Sequence, residues 1–217
     1  MEPNPQQSFE EFQPQPPKFN IDKLEGAVMH FLQVCGPLSG AAINAFSQHY
    51  AYERNKRLPD NYGTQSLLPR MLRGRKAFRL SNNLYSLTPF APFDESARQR
   101  LDAFWTFLEN MEGVDIATVI PGPTPAQISY LKNNKIYHII CCKDDGKAEM
   151  MLAMSIEEMM RQRMKTISED ERFIIMYKNK WYLENAIPCL HAKTLLGTVE
   201  YPNESDTPSI SFALAQK

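Results

Sequence analysis

Apolar residues recur at helical spacing from the start of the ordered-looking chain. Leu24, Val28, Phe31 and Leu32 lie on one stripe that closes on Cys35, so a helix is expected over residues 22–34, with Asp22 or Asn20 as its cap. Gly36-Pro37 stops it. Ile43, Phe46 and Tyr50 repeat the spacing after Ser39, a good N-cap, which places a second helix over 39–50. Leu67, Leu68, Met71 and Leu72 give a third over 65–73, capped by Thr64 and ended by Gly74, with Pro69 at an awkward internal position. Residues 77–80 and 84–87 then read as two short strands around Ser81-Asn82-Asn83, since Asn tolerates the positive φ of hairpin turns. Helix, helix, helix and two-stranded ribbon is the winged-helix order.

After a proline- and phenylalanine-rich linker, Asp94 caps a helix over 95–111 with Leu101, Phe104, Trp105 and Leu108 on one face. The period then shortens. Strands are expected over 115–120, 127–131, 136–142 and 149–153, the middle pair joined by Lys132-Asn133-Asn134-Lys135. Ser155 caps a helix over 156–165, residues 172–177 form a buried strand, 187–195 a short helix and 210–214 a last strand. The domains expected are a tail at 1–19, a winged helix at 20–90 and an α/β domain at 91–217, an α+β protein as a whole.

Composition sharpens one part of this. The net charge of −1 conceals an uneven distribution: residues 1–17 carry three acids and no base, whereas residues 18–90 carry ten bases against four acids. A basic segment inside a near-neutral protein points to a localised anionic partner. The tail is rich in Pro, Gln and Glu and too poor in aliphatics to bury a core; it docks loosely, if at all, through Phe9, Phe12 and Phe19. It has no basic start and no apolar stretch typical of a secretory signal, and no apolar run is long enough to span a bilayer, so a cytoplasmic protein without membrane contact is expected. Cys35, Cys141, Cys142 and Cys189 show no metal-ligand spacing and are expected as free thiols.

The basic segment and the winged-helix pattern coincide, and this supplies the candidate site. Gln65, Ser66, Arg70 and Arg73 fall on or beside the third helix, the one such modules lay in the major groove. Arg75, Lys76 and Arg79 carry charge into the ribbon, whose tip is Asn82 and Asn83, and Arg54, Lys56 and Arg57 precede the helix as phosphate clamps. Double-stranded DNA is the expected partner. A second copy of the chain is another, joined through helix 95–111, unless the apolar face of that helix covers the sheet instead. No cofactor, metal or catalytic residue is expected.

Beyond residue 94 the order helix, strand, hairpin, strand, helix, strand resembles the αβββαβ core of PD-(D/E)xK nucleases. That family places an acid at the start of its second strand and an acid-x-Lys triplet on the next. Here the second strand opens Thr124-Pro125-Ala126-Gln127, and Lys143 is preceded two places earlier by Cys141 rather than an acid. A hard divalent cation needs oxygen ligands, so the resemblance implies a degenerate site. Asp115 stands alone, and Asp144, Asp145 and Glu149 fall in and after a turn. With the ribbon pattern LLPRMLRGRKAFRLSNNLYSL, the whole chain resembles bacterial mobile-element proteins of the replication-relaxation type carried by plasmids and conjugative elements. The resemblance implies a non-enzymatic DNA-binding role, regulatory or accessory to element replication or transfer. Two alternatives stay open: a winged helix that docks a protein partner, and a metal-dependent nuclease whose acids have migrated. Phosphate-loop, dinucleotide and nucleophile-elbow signatures are absent. The methionines between 150 and 164 are expected to pack a core or an adaptable interface.

Overall fold

The computed structural model describes residues 20–80, 83–143, 170–181, 194–202 and 206–213. It is a mixed α+β protein: among these residues are four α-helices, a three-stranded sheet and a six-stranded sheet. No helix among them is long and apolar enough to cross a membrane.

Helix α1 spans Ile21–Cys35 and is capped by Asn20, whose side chain accepts from the backbone N–H groups of Asp22 and Lys23. The two-residue strand β1, Leu38–Ser39, follows, an element the hydrophobic pattern was too short to reveal. Ser39 caps α2, Gly40–Tyr52, by accepting from the N–H of Ala42. The third helical stretch differs from expectation. A π-helical turn, Gly63–Leu67, leads into α3, Leu68–Arg73. Pro69 lacks the N–H that an α-helix would pair with the carbonyl of residue 65, so it sits in the first turn of α3, where no such bond is required. Thr64 is not the cap; its hydroxyl donates to the carbonyl of Asn61. Strands β2, Phe78–Arg79, and β3, Leu84–Ser86, form the hairpin, and β1 adds to β3 antiparallel, giving the order β1-β3-β2. Asn83 has the expected positive φ of 57°.

Helix α4, Glu95–Leu108, is capped by Asp94, which accepts from the N–H of Ala97. Residues 101–108 are all buried, because α4 packs on α1 and α2 on one side and on the large sheet on the other. One continuous core therefore runs from Phe31 and Phe46 through Phe104 and Phe107 to Tyr130 and Ile139. The apolar face of this helix covers the sheet, one of the two roles expected for it.

The large sheet has the order β4-β5-β6-β7-β8-β9, with β4 Ile120–Pro121, β5 Ile128–Lys132, β6 Lys135–Cys141, β7 Glu171–Tyr177, β8 Thr194–Glu200 and β9 Ser209–Phe212. Strands β4, β5 and β6 form an antiparallel meander, β6, β7 and β8 are parallel, and β9 is antiparallel to β8. Asn133 and Asn134 turn the β5–β6 hairpin with φ of 51° and 57°. Two expectations fail here. Residues 115–120 are mostly a 3-10 turn, Ile116–Thr118, capped by Asp115, and only Ile120 enters a strand. Leu195 was expected to end a helix but lies in β8, between β7 and β9. The strand expected at 149–153, the helix at 156–165, most of the helix at 187–195, the methionine-rich stretch and the acids at 144, 145 and 149 lie outside the described residues.

Candidate nucleic-acid interface

Helix α2 holds the third helical stretch in place through two amides. Asn44 donates to the carbonyl of Asp60 at 2.7 Å and accepts from the N–H of Gly63 at 2.9 Å, while Gln48 donates to the carbonyl of Pro59 at 2.6 Å. Gly63 sits so close to α2 that a Cβ there would come within 2.6 Å of the Asn44 Cα. Leu67, Leu68 and Met71 face the core, which turns Gln65 and Ser66 to solvent.

The end of α3 has an unusual residue. The N–H of Arg75 donates to the carbonyl of Leu72 at 3.1 Å, and that of Lys76 to the carbonyl of Met71 at 2.9 Å. This is the Schellman pattern, whose left-handed position belongs by preference to glycine. Gly74, expected to end the helix in that role, has φ of −77°, and the left-handed residue is Arg75, at φ 54°. Arg73, Arg75 and Arg79 are exposed.

The remaining bases are tied down to differing degrees. Arg70 pairs with Asp22 and places Nε 3.1 Å from Glu25, and Lys76 pairs with Glu25 as well. Arg54 stacks its guanidinium 3.6 Å from the centre of the Tyr50 ring and donates to the Tyr50 carbonyl. With Lys56 and Arg57 it borders an open groove of about 1460 Å³ whose other wall is the end of α4, including Glu109 and Glu112. The basic segment thus divides into one group at the start of α1 and another at the end of α4. Asn83 accepts from the Tyr85 hydroxyl and its carbonyl from the N–H of Gly40, so it supports the hairpin. Asn82, the other residue of the proposed tip, lies outside the described residues.

A second polar cluster was not foreseen. Asp102 on α4 is completely buried; it pairs with Lys178, just past β7, and accepts from the hydroxyl of Tyr201, just past β8, at 2.8 Å. The charges of Asp102 and Lys178 act on Cys141, at the end of β6, where Gln99 donates to its carbonyl and Gln127 accepts from its N–H, each at 2.7 Å. The residues come from positions 99 to 201 and share no sequence spacing, so only the parallel strand ends bring them together. Burial, then the Asp102 carboxylate, pushes the Cys141 thiol well up, against the pull of Lys178. Burial likewise raises Cys35, and burial followed by Asp102 raises Tyr201. Cys35, Cys141 and Cys142 are buried and form no disulfide; Cys189 lies outside the described residues. At pH 8 Cys35 and Cys141 should therefore resist iodoacetamide in the folded protein and react fully once urea is added, as intact mass would show.

These groups also fix a sign for pH dependence. A thiol raised above its ordinary value of 9.0 keeps its proton in the folded state after the unfolded chain has lost it. Stability is then undiminished below that value and falls as pH climbs beyond it. No family model, no curated protein and no solved structure matches the chain.

Proposed function

We propose that residues 20–90 are a winged helix that binds duplex DNA, mainly through phosphates, and that residues 91–217 are a catalytically degenerate PD-(D/E)xK-like domain used for association. The role is regulatory or accessory, of the kind the likeness to mobile-element replication proteins implies. In support, the order α1, β1, α2, third helix and hairpin, with β1 added to the ribbon, is the arrangement such a module requires.

The observation that carries the reading is Arg75. A non-glycine side chain in the left-handed region is uncommon, and such strain gathers at functional positions. Here it holds an exposed guanidinium between Arg73 and Arg79, at the join of helix and ribbon. The third helical stretch has only one regular α turn after Pro69, so phosphate contact suits it better than deep base reading. On the α/β side, the position of the motif acid is Cys141, and Asp102, a buried carboxylate whose charge acts on it, has both oxygens engaged by Lys178 and Tyr201. That arrangement favours association over nuclease chemistry.

Fluorescence anisotropy with a random-sequence duplex, across a salt series, tests the proposal. Affinity should fall along a straight log–log line, by about 0.9 in slope for each phosphate neutralised. Absence of binding at low salt would remove the reading.

A further inference from the structure

Glu25 is 3% exposed, on the inward stripe of α1 beside Leu24 and Val28. A carboxylate in that position is tolerable only with charged partners, and it draws both from the proposed DNA-binding elements. Lys76 hydrogen-bonds it from the segment leading into β2, and Arg70 on α3 brings Nε to 3.1 Å from its other oxygen as an ion pair without hydrogen-bond geometry. Asp22, one turn earlier on α1, takes the other end of the Arg70 guanidinium. Neither base is free to approach a phosphate without leaving Glu25 buried and undercompensated. Lys76 is itself exposed and Arg70 partly so, and what sets Arg73, Arg75 and Arg79 apart on the same elements is that they are exposed without an ion pair to Glu25.

We propose that Glu25 is a positioning residue that withholds Arg70 and Lys76 from DNA while fixing α3 and the hairpin against α1, so that the charge of the interface is carried by Arg73, Arg75 and Arg79. The inference rests on the DNA-binding reading. It divides the bases of one short segment into two kinds that their sequence does not distinguish. The pair held by Glu25 sets the geometry of the surface, and the bases without that tie neutralise phosphate. Glu25 thereby lowers the non-specific affinity the segment would otherwise have.

The salt series on the full chain separates the two kinds. Arg73→Gln should make the log–log slope shallower by about 0.9, the value of one phosphate contact. Arg70→Gln and Lys76→Gln should leave the slope as it is. Glu25→Gln frees Lys76, while Arg70 keeps its pair with Asp22, and should steepen the slope by about 0.9, with tighter binding at low salt. A merely structural role for Glu25 would lower the amount of folded protein, read by circular dichroism, without steepening the slope. If Arg70→Gln or Lys76→Gln flattens the slope as much as Arg73→Gln does, the inference is wrong while DNA binding stands. If the unaltered chain binds no duplex, the function and the inference fall together. Should Glu25→Gln fail to fold, the two single base substitutions still decide the matter.

Discussion

Lys178→Met should destabilise the protein by about 3–5 kcal/mol, because it leaves a buried carboxylate without its cation. Asp102 has no exposed surface, and the Lys178 side chain is only 10% exposed, so water cannot replace the lost partner. Tyr201→Phe, which removes one hydrogen bond to the same charge, should be milder, at about 1.5–3 kcal/mol. The double change Asp102→Leu, Lys178→Met removes both charges together and should recover most of the loss, since a buried pair often contributes little beyond an apolar replacement. Urea unfolding at constant pH measures all three. A loss under 1 kcal/mol in Lys178→Met would mean that Asp102 is not held as described. The same experiment reports on cooperativity. Because α4 packs on α1 and α2 on one side and on the large sheet on the other, and one core runs through it, unfolding should be a single transition followed equally by far-UV circular dichroism and tryptophan fluorescence.

Local chemistry explains which parts of this fold were readable from the sequence. Helix α1 announces itself by Leu24, Val28, Phe31 and Leu32 and by Asn20, and the two asparagine turns by residues that accept positive φ. These signals lie within a few residues of each other. The misreadings arise where distant partners decide. Leu195 joins β8 because it pairs with Ile174 of β7, a neighbour that is not visible in the local pattern. Strand β1 is two residues long and exists only through β3. Pro69 flagged a disturbance correctly, but the π-helical turn that absorbs it depends on Gly63 lying against Asn44. The candidate surface divides the same way. Its charge excess was countable, yet the capture of Arg70 and Lys76 by Glu25 spans 45 and 51 residues. Glu25 was readable only as one of four acids against ten bases. Nothing near Asp102 in the sequence marks it for burial, which comes from packing on two sides of α4.

Reversing the charge at Arg73 and Arg75 together should weaken binding to random duplex about 100-fold or more near 0.1 M salt, since two phosphate contacts are lost and replaced by repulsion. Both side chains are exposed and lack an ion-pair partner among the described residues, so the fold should survive and the thermal midpoint should move little. Arg75→Gly divides the effect more finely. Glycine takes the left-handed conformation at φ 54° without the Cβ penalty, so the variant should be more stable by about 1 kcal/mol. It also loses one phosphate contact, so its binding should weaken by about 10-fold near 0.1 M salt, with a slope shallower by about 0.9. Stability and affinity then move in opposite directions on one substitution. A destabilised protein cannot account for the weaker binding in that variant. If Arg75→Gly is more stable and binds DNA as before, Arg75 is strained for some reason other than contact with phosphate, and Arg73 and Arg79 carry the surface without it.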